Sequence, residues 1–316
     1  VVVTDHHEPG DGVPTGIPVA NPKLDPACPS IDLAGAGVAL KLVHAVGVCT
    51  GHPDVWRELT DLAMLGTVAD IVPLTGENRA LVADGIRRVR TSPRVPLAAL
   101  CVVAGLTTSG FGADSVAYGL APRLNAAGRM SDPDVALHLL LTDDPMVAEE
   151  SALQLDEYNK MRQRVEQDLR EAALAQAERT FRPGDRAVIV SGEGWHEGVK
   201  GIVASRLASQ FGVPALLFAI EDGEARGSGR SVGAIDLFSA VSTCSDLLIR
   251  FGGHEAAVGV TLRGEDLPRF RERLLEALGR LPDEAFRAAR RLDAEIGLED
   301  LSIELAAELD LLEPFG

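Results

Sequence analysis

The stretch that most limits how this chain can fold runs from Asp144 to Phe181, "DPMVAEESALQLDEYNKMRQRVEQDLREAALAQAERTF". It contains no glycine, its single proline stands second, and it is dense in alanine, leucine, glutamate, glutamine and arginine, the residues that cost a helix least. Pro145 suits a first helical turn, where its missing N–H is not needed. The composition therefore predicts one long helix. Such a helix can lay one face on a single domain or can connect two. The "RPGD" at 182–185 and the return of strand-like sequence from Arg186 favour a connector. With 316 residues there is enough chain for two cores.

The sequence before this helix alternates apolar runs with helical patterns. "VVVT" reads as a buried strand that delivers Asp5, His6 and His7 at its end, with a turn at Pro9 and Gly10. A strand that opens the chain has no visible neighbour to pair with. Position 1 is not methionine and the chain stops on "LDLLEPFG", so both ends read as cuts in a longer protein. "DLAGAGVALKLVHAVG" predicts a buried helix. "WRELTDLAMLGTVADIVPL" predicts a helix that breaks at Gly66, then a strand or turn ending at Asp70 and Pro73. "NRALVADGIRRVR" and "DPDVALHLLLT" predict two more helices, the second started by Asp132.

After residue 186 a compact α/β pattern follows. "RAVIVS" and "VPALLFAI" read as strands around the helix "GVKGIVASRLASQFG", which stops at Gly212. "EARGSGRSV" reads as a glycine-interrupted strand or loop, and "IDLFSAVSTCSDLLIRFGGH" as a helix ending at a glycine pair. "AAVGVTL" is a strand, "EDLPRFRERLLEALGR" an amphipathic helix, and the acidic remainder is helical and leads out of the unit.

Composition narrows the function classes. Hydrophobic residues make up 46% and mean hydropathy is +0.10, which indicates a folded chain rather than a disordered one. No apolar run reaches the roughly 18–20 residues of a membrane span. Four scattered cysteines without a CxxC pair argue against a zinc site or disulfide framework and suit a reducing cytoplasm. A net charge of −17 gives no basic footprint, so binding to phosphate would rest on local arginines or on metal ions.

Five short motifs carry candidate chemistry, each with a plain structural alternative. Asp5, His6 and His7 at a strand's carboxyl end occupy the place where open α/β sheets put their sites, and carboxylate with imidazole suits Mn²⁺. The alternative is a solvated surface loop. Asp70 stands at the edge of an apolar segment, as a metal-bound acid or as an ordinary cap. In "APRLNAAGRM", Arg123, Asn125 and Arg129 sit among small residues, with guanidinium forks matched to phosphate; the alternative is a helix entry capped locally by Asn125. "GSGRS" offers Ser228 and Arg230 to an anion, or marks a bulge or hairpin. "FGGH" presents Gly252, Gly253 and His254, or simply stops a helix.

The motifs in their order resemble those of the DHH phosphoesterase superfamily, and most closely its RecJ-type single-stranded-DNA exonucleases. "VVVTDHHEP", "NPKLDP…LAGAGVALKL", "DLAMLGTVADIVPLTGENRALV", "APRLNAAGRM", "GWHEGVKGIVASRL", "GSGRSV" and "FGGHEAAVGVTL" carry the resemblance nearly end to end, and "LEPFG" matches the lead-in to that family's OB domain. The resemblance implies a two-lobed α/β fold. An incomplete, parallel-sheet DHH domain would span 1–143, a connecting helix 144–181, a smaller DHH-associated substrate-binding domain 182–281, and a helical lead-in 282–316. The family's first aspartate motif, a D-x-D after a strand, and a further aspartate have no counterpart here, which leaves the metal centre incomplete and the fragment inactive alone. Asp132 and Asp134 flank a proline at a helix start and are not that motif.

By the same resemblance the intact enzyme is a hydrolase that degrades single-stranded DNA from a 5′ phosphate to mononucleotides in repair and recombination, using two Mn²⁺ or Mg²⁺ ions. Asp5, His6 and Asp70 would be metal ligands, with Asp5, His7 and Asp70 catalytic. Arg123, Asn125, Arg129 and Gln163 would line the nucleotide path. Ser228, Arg230, Gly252, Gly253 and His254 would hold the terminal phosphate. It would act as a cytoplasmic monomer without a membrane, served by a helicase and a single-strand-binding protein. The alternatives are a phosphodiesterase for short oligonucleotides or cyclic dinucleotides, or for pyrophosphate, and a non-catalytic replication scaffold.

Overall fold

The structure, a computed structural model, describes residues 1–9, 12–287 and 292–315. It divides into two compact units, Val1–Asn159 with Ile296–Gly316, and Lys160–Glu295. The first unit opens with β1 (Val3–Thr4), paired in parallel with β2 (Val19–Ala20). The expected opening strand is thus shorter than its apolar run and does have a neighbour. A two-residue strand is too short to show alternation, which is why β2 left no trace in the pattern. Of the turn expected after His7, Gly10 lies outside the described residues.

Helices α1 (Gly35–Thr50), α2 (Thr60–Ala69), α3 (Gly76–Thr91) and α4 (Val95–Val103) follow. Gly66 does not break α2. A β-carbon built on it would lie 2.4 Å from Ala36 Cβ, so the glycine lets the backbone of α2 press against the first turn of α1. The helix ends instead at Asp70, and the turn after it carries Ile71 at φ 59°, a left-handed position that a β-branched residue seldom takes. A π-helical turn (Ser115–Leu120) runs into α5 (Ala121–Met130), and α6 (Asp134–Leu141) precedes α7 (Pro145–Thr180). The core of the unit collects Met64, Val82, Leu97, Leu100, Phe111 and Leu120, all fully buried.

The predicted long helix is α7, 36 residues without interruption. Its alanines serve as buried contacts at four-residue spacing. Ala148, Ala152 and Leu155 are buried in the first unit, and Leu169, Ala173 and Ala177 in the second. Buried Glu166 is held between Arg162 at 2.5 Å and Arg206 at 2.6 Å, all within the second unit.

That unit is built from β3 (Val188–Glu193), α8 (Glu197–Phe211), β4 (Ala215–Glu221), β5 (Glu224–Arg230), α9 (Leu237–Ser242), β6 (Leu248–His254), β7 (Ala257–Arg263) and α10 (Leu267–Gly279). The strands form one sheet in the order β3-β4-β5-β7-β6. β3 and β4 run parallel, joined through α8, and the other neighbours are antiparallel. Phe218 on β4 meets Phe270 on α10 edge to face, with ring centroids 5.7 Å apart, in the core on one side of the sheet. One pair of alternatives resolves here and one expectation changes. "EARGSGR" takes the strand reading, regular, paired on both sides and in a hairpin with β4. The helix expected to reach the glycine pair ends at Ser242, and "LIRFGGH" is strand β6, laddered onto β7. A short apolar run reads equally as helix or strand, and distant pairing decides it.

Residues 296–315 rejoin the first unit through α11 (Ile303–Asp310). Arg79 on α3 donates to the carbonyls of Pro314 at 2.7 Å, of Glu313 and of Leu312, and Pro314 is buried. Among the described residues no helix is long and apolar enough to cross a membrane.

Two tests follow from this packing. Gly66→Val should drive a side chain into Ala36 and cost about 1–3 kcal/mol of stability by chemical denaturation. Glu77, at the start of α3, accepts from Ser30 Oγ at 2.6 Å and pairs with Lys41. Burial pushes its carboxyl up, but the bonds from Lys41 and Ser30 outweigh this and leave it below the usual glutamate value. A lowered folded pKa means stability that is present above the unfolded value and fades as pH falls through the folded one. Glu77→Gln should therefore lose about 0.5–1 kcal/mol at pH 7, with wild type and variant converging below pH 4.5.

Candidate metal and phosphate sites

In the first unit the structure brings His6 and Asp70 together from segments more than sixty residues apart, with His6 Nδ1 3.3 Å from Asp70 Oδ2. Each is placed by a different element. His6 follows β1, and its ring leans on the start of α1, where a β-carbon on Gly35 would sit 3.1 Å from His6 Cδ2. Asp70 caps the carboxyl end of α2, which reaches α1 through Gly66. A carboxylate there faces the negative end of the helix dipole, so it is not placed to stabilise the helix. Among the described residues no lysine or arginine pairs with it.

Asp5 bonds within its own turn. Its Oδ1 accepts from the backbone N–H of His6 at 2.8 Å and of His7 at 3.2 Å, and lies 2.8 Å from His7 Nδ1. The bond from the His7 ring is the main reason its carboxyl is held below the usual aspartate range, with the backbone N–H bonds adding to it. The two imidazoles are adjacent, their centroids 4.3 Å apart. With Nδ1 of His7 taken by Asp5, its Nε2 is left for another partner. Among the described residues no three His, Cys, Asp or Glu side chains are grouped to enclose one ion. What the chain presents is two separate imidazole–carboxylate contacts, His6 with Asp70 and His7 with Asp5.

α5 splits the "APRLNAAGRM" residues. Arg123 is turned inward, with Nε and Nη2 each 2.8 Å from Asp156 and Nη1 2.7 Å from the Gly119 carbonyl. Asn125 is not a cap; it lies inside the helix and is exposed, as is Arg129 four residues on, so the two share a face. Gln163 is exposed on α7 in the second unit, in a shallow groove with Lys160 and Gln167.

The remaining candidates converge on one face of the second unit's sheet. Register places Arg230, Ala257 and His254 in one cross-strand row, and Ser228, Gly259 and Gly252 in the next. Directly opposed residues point the same way. Arg230 Nη1 donates to Ser228 Oγ at 3.2 Å, and its guanidinium rests on α8, where a β-carbon on Gly201 would lie 2.7 Å from Nη2. His254 Nδ1 accepts from Ala256 N–H at 3.3 Å, which puts the ring proton on Nε2, free to donate. Gly252 and Gly259 have open space above them. Gly253 points to the opposite face. At φ 139° a β-carbon would lie 2.1 Å from the Ala257 carbonyl, so its part is to let β6 take this path.

Sequence reasoning missed Lys200, Arg226 and Arg250. Lys200 is 2% exposed on α8, and Nζ donates to Glu197 Oε1 at 2.7 Å and to the Arg226 carbonyl. Burial lowers its pKa against the opposing pull of Glu197. Arg226 and Arg250 flank Thr261 in a third row of the same face and line a cleft with Glu197. The signal for Lys200 was "GWHEGVKGIV", a lysine three residues after a glutamate; Arg226 and Arg250 stand in strands whose shared face only the register reveals.

Residues 184–280 match the DHHA1 domain family. Over its whole length the chain is 42% identical, across 322 residues, to the single-stranded-DNA-specific exonuclease RecJ of Bacillus subtilis (strain 168), of which it spans 40%. The crystal structure of RecJ in complex with Mn²⁺ from Thermus thermophilus matches with a TM-score of 0.87 at 38% identity, covering 100% of this chain and 46% of that one. A crystal structure of exonuclease RecJ bound to manganese matches with a TM-score of 0.77 at 38% identity, covering 91% of this chain and 71% of that one. The chain spans 40% to 58% of the length of the curated RecJ relatives it matches.

The position of Asp70 at the carboxyl end of α2 allows a test of whether its charge supports the helix. Without divalent metal at pH 8, Asp70→Asn should raise stability by about 0.3–1 kcal/mol by relieving the helix end. An acid that stabilised its helix end would lose stability instead, and thermal denaturation reads the sign.

Proposed function

The chain belongs to the RecJ exonuclease family, and on that premise we propose that it carries the core of a metal-dependent 5′-to-3′ exonuclease that degrades single-stranded DNA to mononucleotides. The observation that carries this reading is the meeting of His6 with an Asp70 that the helix dipole disfavours and no basic side chain among the described residues offsets. A cation is the natural complement to that arrangement. Nitrogen and carboxylate oxygen donors fit Mn²⁺, with Mg²⁺ served by the carboxylates. Asp5, His6 and Asp70 would hold the metal, with further acids completing a two-ion centre. Bound there, such ions polarise the phosphodiester and make a hydroxide available near neutral pH.

The chain's own residues do the rest. Asp5 fixes the His7 ring through Nδ1, so that Nε2 can meet a phosphate oxygen or carry a proton. Ser228 Oγ, the Arg230 guanidinium and His254 Nε2 would receive the terminal 5′ phosphate over the open glycine floor, where charge-assisted bonds are strong. Asn125, Arg129 and Gln163 would contact the nucleotide path, with Arg123 holding α5 in place through Asp156 rather than touching DNA. We assign 1–143 to the DHH domain, 144–181 to a connecting helix, 182–281 to the substrate-binding domain and 282–316 to a lead-in. The enzyme would work in repair and recombination as a cytoplasmic monomer, handed its strand by a helicase and a single-strand-binding protein.

The test follows 5′-phosphorylated single-stranded DNA with the full-length protein and Mn²⁺. Mononucleotides should appear from the 5′ end. His6→Ala with Asp70→Ala should cut kcat at least about a hundredfold. Arg230→Ala should erase a preference of about ten- to a hundredfold for 5′-phosphate over 5′-hydroxyl ends. Full activity in the His6/Asp70 double variant would refute the assignment.

A further inference from the structure

Asn78, on the first turn of α3, is 3% exposed and touches neither His6 nor Asp70 by any hydrogen bond. Its Nδ2 donates to two carbonyls from different segments, Asp32 at 2.7 Å and Pro73 at 3.1 Å. Its Oδ1 is buried and finds no donor among the described residues. A buried acceptor left alone is a cost that an apolar side chain of similar shape would avoid. The amide cannot improve matters by flipping, because its oxygen would then face two carbonyl oxygens. Asn78 is therefore retained for the two protons of its NH₂.

Those two bonds end on the two segments that place the metal half-site. Pro73 closes the short strap that begins at Asp70 and contains Ile71 in its left-handed conformation. Strained turns persist only where the surroundings over-determine them, and the bond to the Pro73 carbonyl holds the far end of this one. Asp32 lies just ahead of α1, whose first residue, Gly35, is the wall against which the His6 ring rests. Glu77 braces only this second side, through Ser30 and Lys41. Asn78 alone among the described side chains of that turn bonds to both segments.

We propose that Asn78 is a positioning residue for the metal half-site, its single amide NH₂ setting the separation of His6 from Asp70 by bridging the strap that carries the acid to the wall that backs the imidazole. An asparagine suits this work because it offers two protons from one nitrogen without bringing a charge into a buried place. The proposal rests on the reading of His6 and Asp70 as metal ligands, and the experiment tells the two apart.

Mn²⁺ is titrated into the full-length protein and its variants, with free Mn²⁺ followed by electron paramagnetic resonance and unfolding followed in parallel. Asn78→Ala should weaken Mn²⁺ binding by about tenfold or more, as outer groups around metal ligands do. Asn78→Ser, a milder change that keeps one donor, should weaken it severalfold and serves if the alanine variant does not fold. Val82→Ala, a buried position on the same helix, should lower Tm while leaving Mn²⁺ affinity unchanged. His6→Ala tests the underlying reading. Wild-type affinity in folded Asn78→Ala or Asn78→Ser, beside lost binding in His6→Ala, overturns the positioning role alone. Equal weakening in Val82→Ala overturns it as a mere stability effect. Wild-type affinity in His6→Ala removes the metal reading and the proposal with it.

Discussion

The approach of α2 to α1 at Gly66 is the contact that sets Asp70 beside His6. Asp70 has no direct tie to the strand that carries His6. The two meet because His6 rests on the first turn of α1, and because α2 lies close enough to that turn for its last residue to arrive beside the ring. Any side chain at position 66 would wedge the helices apart and carry Asp70 away with them. The polar residues at the start of α3 act on the same geometry from below, through Ser30, Asp32 and Pro73. Apolar packing brings the elements to the right distance, and a few directed bonds then set the side chains, since dispersion has no preferred direction.

The second unit gathers its polar side chains by another principle. A sheet sends alternate residues to opposite faces, so three rows of opposed residues on β5, β7 and β6 present their polar groups together without any loop to arrange them. Position 253 shows the limit of that economy. It faces away from the others, yet it admits no side chain, because the strand's route past Ala257 occupies the space. Its neighbour Gly252 differs, with open space where a side chain would stand.

Much of this was legible in the chain. α7 was readable because its composition is uniform and contains no breaker. β3 and β4 are short apolar runs bounded by turns, and Gly212 marks the end of α8 in the left-handed conformation expected of a helix stop. What could not be read were features that depend on distant partners. β6 is a strand only because β7 lies beside it. Gly66 reads as a breaker until Ala36 is known to face it. Arg123 looks available for phosphate until Asp156, on another helix, claims it. Nothing in the sequence distinguishes Asn78 from its polar neighbours, since its partners are two carbonyls elsewhere in the chain.

The return of residues 296–315 to the first unit bears on how the protein is made. Domains emerging from the ribosome tend to close in order of synthesis. Here the second unit draws on one continuous stretch and can close as soon as that stretch has emerged. The first unit must wait for its final packing partner, since the carbonyls that Arg79 holds belong to the last residues described. Within this stretch the second unit can thus close before the first has gathered all its parts.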